Sequence, residues 1–148
     1  MRVLVTGSDG FIGKNLVIHL SEKADYSVLI FSRESSLIEL QGLVDQADAV
    51  VHLAGENRPK EISTFDEVNV GLTQSICDAV RATGRKIPLI FASSTWANYL
   101  DNPYGKSKRD AELVLDLLSK EVGNSVSIYR FSGIFGKWCK PNYNSVVA

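Results

Sequence analysis

The sequence predicts a doubly wound α/β fold built on a parallel sheet, and three observations carry that prediction. Short apolar runs of strand length alternate with stretches of helical periodicity along the chain. A glycine-rich turn joins the first such run directly to the first helical stretch. Hydrophobic residues make up 45% of the 148, enough for one packed domain and too many for intrinsic disorder.

Arg2–Thr6 reads as the first strand and runs straight into glycines. Ile12, Leu16 and Leu20 then recur every four residues, as on one face of a helix. Ser27–Phe31 is the second strand, Leu37–Val44 a short and weaker helix, and Ala49–Leu53 a buried third strand. Phe65–Thr83 is a helix with Val68, Leu72, Ile76 and Val80 on one stripe, ended by Gly84. Leu89–Ser93 is the fourth strand. Asn102-Pro103 sets a cap before proline at the first helical position, opening a helix that runs to about Val122. Val126–Arg130 is the fifth strand. After it, Gly133, Gly136, Pro141 and the apolar tail Val146-Val147-Ala148 close no element. The chain is therefore expected to be an N-terminal piece, residues 1–148, of a longer protein.

Composition excludes several function classes. Lys and Arg number 16 against 17 Asp and Glu, a net charge of -1, which argues against a general nucleic-acid or anionic-membrane binder. No apolar run approaches the roughly 20 residues of a membrane helix, and the first residues form no secretory signal. Cys77 and Cys139 have neither CxxC spacing nor a histidine partner, so no disulfide framework or metal site is expected. A cytoplasmic protein with reduced thiols fits. His19 and His52 read as surface or packed residues, and Trp96 and Trp138 as loop aromatics covering a cleft, with stacking on a uracil as the alternative.

Gly7-Ser8-Asp9-Gly10-Phe11-Ile12-Gly13 follows the first strand and opens the first helix. Glycine permits a tight turn and close approach of a pyrophosphate to backbone N–H groups, and the helix N-terminus adds partial positive charge. About 20 residues on, NAD-binding folds place an acid at the end of the second strand for the ribose 2′-hydroxyl. Here Ser32 stands in that place, and Arg33 offers a fork for a 2′-phosphate. The expected cofactor is NADPH in preference to NAD.

Tyr104 and Lys108 lie four apart at the start of a helix, on one face. An ammonium beside a phenol favours phenolate, so Lys108 is expected to lower the Tyr104 pKa and fit it for proton exchange with a sugar hydroxyl or carbonyl. Ala92-Ser93-Ser94 ends a strand at the sheet edge where ligands bind, with its hydroxyls placed to meet the reacting oxygen. Leu53-Ala54-Gly55 ends the middle strand on the same edge. Asn69 is placed to hold a water or backbone group near Lys108.

Thr6-Gly7, Gly10-Phe11-Ile12-Gly13, His52-Leu53-Ala54-Gly55, Asn69-Val70, Ser93-Ser94 and Tyr104-x-x-x-Lys108 together resemble the extended short-chain dehydrogenase/reductases, which act on nucleotide sugars. More narrowly, Asp101-Asn102-Pro103-Tyr104-Gly105 and the stretch from Phe135 to Val146 resemble the CapF family of capsular-polysaccharide enzymes. The resemblance implies a Rossmann-like sheet of about five strands in the order 2-1-3-4-5, ending before the substrate domain. It implies a C-terminal cupin in the whole protein, and NADPH-dependent reduction at C4 of a UDP-4-keto-6-deoxy-HexNAc to a UDP-N-acetyl-6-deoxy-L-talosamine. Carried over, Tyr104 is the general acid, Lys108 its activator and ribose ligand, and Ser94 the substrate hydrogen-bond donor. Gly7, Gly10, Phe11, Ile12, Gly13, Ser32, Arg33, Leu53, Ala54, Gly55 and Asn69 join Tyr104 and Lys108 around the cofactor. Thr95-Trp96 stands where the 4,6-dehydratases of this superfamily carry Asp-Glu, which counts against dehydration. Homodimerisation through the two long helices is implied as well. The rival readings are a nucleotide-sugar 4-epimerase and a non-catalytic NAD(P)-binding sensor or scaffold.

Overall fold

The computed structural model describes residues 1–139; the expected loop at Pro141 and the apolar tail after it lie outside the described residues. Strands β1 (Arg2–Thr6), β2 (Ser27–Phe31), β3 (Ala49–His52), β4 (Leu89–Ser94) and β5 (Val126–Phe131) form one sheet in the order β2-β1-β3-β4-β5. All four pairings are parallel. This is the Rossmann-like order that the family resemblance implies.

Both faces of the centre are apolar, as a parallel sheet between helices requires. Val3, Val5 and Val51 turn to α1 (Phe11–Ser21), where Leu20, Leu16 and Val17 meet them. Leu4, Val50, Leu89 and Phe91 turn the other way, onto α2 (Leu37–Gln46), α4 (Leu72–Ala82) and α5 (Pro103–Val122). The stripe on α4 packs as the periodicity predicts, with Ile76, Val80 and the thiol of Cys77 fully buried.

Local chemistry fixes the helix ends. Ser36 caps α2 in a capping box with Glu39, a signal that the sequence reading passes over, and α2 runs two residues further than predicted. Asn102 caps α5 by accepting from the Gly105 N–H at 3.0 Å, Pro103 takes the first turn, and Gly123 closes the helix at φ +73°. The predicted helix from Phe65 is less regular. A short α3 (Ser63–Phe65) passes through a π-helical turn, Asp66–Gly71, before α4 begins. Hydrophobic spacing carries no mark of that inserted residue, and such turns collect at functional sites.

The carboxyl ends of β1 and β3 are tied together by His52, which is fully buried. Its Nδ1 lies 2.7 Å from Thr6 Oγ1 and its Nε2 3.0 Å from Thr73 Oγ1. The Thr73 hydroxyl donates to the Asn69 carbonyl at 2.6 Å, so it must accept from Nε2–H. Nδ1 is then the acceptor for Thr6, whose oxygen in turn accepts the Ala54 N–H at 3.2 Å. The ring is neutral, and desolvation, reinforced by the Lys108 charge, pushes its pKa down to about 3. The unfolded chain takes up this proton near pH 6.5 whereas the fold refuses it until about 3. The contribution is therefore complete above 6.5 and drains away as pH falls, by about 1.4 kcal/mol per pH unit. Urea unfolding between pH 6.5 and 5.5, above the ordinary carboxylate values of 4.5 and 3.8, should show this slope. In His52→Gln the slope should vanish, and a slope untouched by the substitution would point to another group.

Candidate active site

The turn after β1 is shaped for an anion. Gly7 sits at φ +71°, and a Cβ there would lie 2.6 Å from the Ala54 nitrogen. A Cβ on Gly13 would lie 2.1 Å from the Gly7 carbonyl oxygen. Both glycines are therefore fixed by backbone packing, which brings the first turn of α1 close against the strand ends. Gly10 caps α1 without a side chain, and no acidic residue lies in the first turn, so the amides there meet no negative group of their own helix. A pyrophosphate fits this cradle. The cradle forms one end of a cleft of about 990 Å³ along the carboxyl edge of the sheet.

Of the expected residues, Gly7, Gly10, Phe11, Ile12, Gly13, Arg33, Leu53, Gly55, Ser94, Tyr104 and Lys108 line this cleft. Three stand back from it. Ser32 shapes the turn after β2, its hydroxyl accepting from the Glu34 N–H at 3.3 Å. Ala54 is drawn to Thr6 through its N–H. Asn69, in the π-helical turn, lies behind the wall: its amide accepts from the Glu56 N–H at 2.8 Å and donates to the Glu56 carbonyl and the Ser107 hydroxyl, each at 2.9 Å. Asn69 holds backbone, as its place in the sequence suggests, without reaching the cleft itself.

The start of α5 brings Ser94, Tyr104 and Lys108 together. Gly105 makes this possible, since a Cβ there would lie 2.3 Å from the Trp96 carbonyl oxygen. The helix start thus presses against the 3-10 turn Thr95–Asn98, and Tyr104 comes within hydrogen-bonding reach of the Ser94 hydroxyl. Ser94 Oγ also accepts from the Trp96 N–H at 3.2 Å, which leaves its proton for the phenol or a ligand. Lys108 is buried, its Nζ 3.0 Å from the Ala92 carbonyl and 4.8 Å from the centre of the Phe91 ring. Desolvation pushes its pKa down to about 8 against the pull of Glu112.

Two expectations need correction. The phenol of Tyr104 is held up, not lowered: burial raises its pKa and outweighs the Ser94 hydrogen bond, while the Lys108 ammonium is taken by Ala92. The two serine hydroxyls do not act together. Neighbouring strand residues face opposite ways, and Ser93 Oγ turns to Glu112 Oε1 at 2.5 Å.

Glu112 is a residue that the sequence reading misses. It is buried, yet it accepts from Arg130 through both carboxylate oxygens, at 2.8 and 2.6 Å, and from Arg109 at 2.9 Å. Desolvation pushes its carboxyl up, but the hydrogen bonds from Arg130, Ser93 and Arg109 win and hold it below the usual range. Its position was readable, four residues past Lys108 on the stripe of Tyr104 and Lys108. Glu56 was also missed. It lines the cleft beside Arg33, with Oε2 3.2 Å from the guanidinium. Its place directly after Gly55, where a strand meets the ligand-binding edge, was the available signal. Among the described residues no cluster of side chains is arranged to hold a metal ion, and no helix is long and apolar enough to cross a membrane.

Comparison with known proteins accords with this geometry. The family model described as the NAD dependent epimerase/dehydratase family matches residues 3–148. A UDP-2-acetamido-2,6-beta-L-arabino-hexul-4-ose reductase of Pseudomonas aeruginosa is 49% identical over 148 residues, 100% of this chain and 40% of the relative. A UDP-glucose 4-epimerase of Vibrio cholerae is 28% identical, with 98% of this chain and 55% of that protein matched. Among solved structures, the capsular polysaccharide assembling protein CapF from Staphylococcus aureus is similar at a TM-score of 0.84 and 41% identity, over 99% of this chain and 39% of that one. The chain thus spans less than half of the reductase and of CapF.

Lys108 generates a pH prediction. It carries its charge below about pH 8 and loses it above. Dinucleotide affinity should therefore weaken as pH rises through that value, by about tenfold once a charge-assisted hydrogen bond becomes a neutral one. Fluorescence titration with NAD(P)H checks this; in Lys108→Met the affinity should be lower and independent of pH over the same range.

Proposed function

The chain belongs to the NAD dependent epimerase/dehydratase family, and from that membership we propose that residues 1–148 are the cofactor-binding and proton-donating part of an NADPH-dependent UDP-sugar 4-keto reductase. The observation that carries the reading is the meeting of Ser94, Tyr104 and Lys108 on the rim of the glycine cleft. The substrate class is a UDP-4-keto-6-deoxy-HexNAc, reduced at C4 to a UDP-N-acetyl-6-deoxy-L-talosamine for capsular or O-antigen precursor synthesis in the cytoplasm. The 49% identity to the hexulose reductase and the likeness to CapF support that choice.

Reduction of a ketone needs a hydride and a proton, and the nicotinamide supplies the hydride when bound. Tyr104 supplies the proton. A phenol whose pKa burial has raised is fully protonated at neutral pH, the form a reductase requires of its general acid. Ser94 donates a hydrogen bond to the same oxygen and orients it. Lys108 gives one N–H to the Ala92 carbonyl; its remaining donors would meet the ribose hydroxyls of a bound dinucleotide, and its charge would steady the phenolate once the proton has gone. The glycine cradle would hold the pyrophosphate, and Arg33 would take the 2′-phosphate. Thr95 and Trp96 form a 3-10 turn after Ser94 and place no carboxylate there, so dehydration has no acid at that position.

In the full-length enzyme, Tyr104→Phe should lower NADPH oxidation by at least about 100-fold while leaving the NADPH dissociation constant within about twofold. The assay follows NADPH loss with a panel of UDP-4-keto-6-deoxy sugars. A 4-epimerase would instead interconvert sugars with no net NADPH loss and retain its nicotinamide through gel filtration. A sensor or scaffold would bind cofactor without consuming it.

We also propose a homodimer. Helices α4 and α5 pack side by side on one face of the sheet, and Leu113 and Leu117 stand out from α5 at 45% and 52% exposure. Two copies facing each other across these helices would cover both leucines. Light scattering should give twice the chain mass, falling to one chain mass in Leu113→Glu/Leu117→Glu. A wild-type monomer at micromolar concentration would overturn the dimer.

A further inference from the structure

We propose that Glu56 sets the cofactor preference by competing with a 2′-phosphate for Arg33, an inference that rests on the NADPH reading and deepens it. The two side chains meet on the cleft rim, Arg33 Nη2 to Glu56 Oε2 at 3.2 Å. They are held very differently. The Glu56 backbone is gripped through both its N–H and its carbonyl by Asn69. Its carboxylate also accepts from the N–H groups of Asn57 at 3.0 Å and Arg58 at 3.2 Å. The Glu56 side chain is 20% exposed, whereas that of Arg33 is 88% exposed with Glu56 as its one partner among the described residues. The carboxylate is anchored to its own loop, whereas the guanidinium lies open to solvent.

A cation so placed cannot serve two anions equally. A 2′-phosphate that recruits Arg33 must draw it from Glu56 and then lie close to the carboxylate left behind. A ribose 2′-hydroxyl brings no charge, and a fixed carboxylate is the acceptor such a hydroxyl seeks. The acid absent after the second strand is thus supplied from the loop after β3. Arg33 favours NADPH, Glu56 tempers that preference, and the balance between them sets the ratio of the two affinities.

The test is a double-mutant cycle in the full chain, reading NADPH and NADH dissociation constants by fluorescence titration. Glu56→Gln removes the charge and keeps an oxygen for the Asn57 and Arg58 N–H groups. It should tighten NADPH by about 3- to 10-fold, the effect of one nearby charge at a solvent-exposed site, with NADH unchanged or weaker. Arg33→Ala should weaken NADPH, and the loss it causes should be larger when measured in the Glu56→Gln background than in the wild type, because in that background Arg33 is fully available to the phosphate before it is removed. Glu56→Asp, which withdraws the carboxylate by one methylene, should give a smaller gain than Glu56→Gln. Unchanged circular dichroism and melting temperature establish that each variant is folded. If Arg33→Ala weakens NADPH but Glu56→Gln leaves both cofactors within twofold, or weakens NADPH, the competition is overturned and the NADPH reading stands. If Arg33→Ala leaves NADPH affinity unchanged, both fall.

Discussion

His52 sits where the ends of β1 and β3 meet the helical layer, with a threonine hydroxyl on each ring nitrogen. One hydroxyl passes the connection to the Ala54 N–H, directly before Gly55, and the other to the Asn69 carbonyl. Asn69 in turn grips Glu56 and reaches Ser107 on α5. One neutral imidazole therefore ties the strand that leads into the glycine cradle to the loop that walls it. A buried network of this kind has value only when every member is satisfied, since an unpaired polar group in a dry interior is costly. The direction of each bond follows from the Thr73 donation, so the tautomer is fixed by the network and the network by the tautomer.

Glu112 plays the matching part at the other end of the cleft. Its two oxygens gather Ser93 from β4, Arg130 from β5 and Arg109 from its own helix. Arg130 extends the tie to Asn98 at 2.6 Å, in the 3-10 turn that abuts Gly105. The reacting side chains stand on a frame in which α5 cannot slide along the sheet without breaking charge-assisted bonds. Burial that would be costly for a lone carboxylate is offset by the cations around it.

The strands and the faces of the helices were legible because period and hydrophobicity report directly on what is buried, whereas the strand order came from the family resemblance. Ser94, Tyr104, Lys108 and the glycines were legible as candidates because spacing along a known element brings them to one edge. What escaped depended on three-dimensional neighbours. Nothing in a phenol's sequence neighbours says how much water it loses, so Tyr104 was assigned the shift a nearby lysine would cause when burial decides it. Ser93 and Ser94 look equivalent until strand alternation separates them. Glu56 and Glu112 had a position to mark them but no partner in the local sequence: Arg33 lies 23 residues from Glu56, and Arg130 lies 18 from Glu112. The π-helical turn left no compositional trace at all.

The thiol of Cys77 lies at the centre of the helical layer, fully enclosed, and burial pushes it up to about 12. The attacking form of cysteine is the thiolate, so in the native state this sulfur is shielded by sterics and also by chemistry. It becomes reactive only when α4 leaves the sheet, an event that dismantles the core. The molecule thus carries its own clock: the rate at which a small thiol-directed reagent reaches Cys77 counts core openings and ignores motions of the cleft edge.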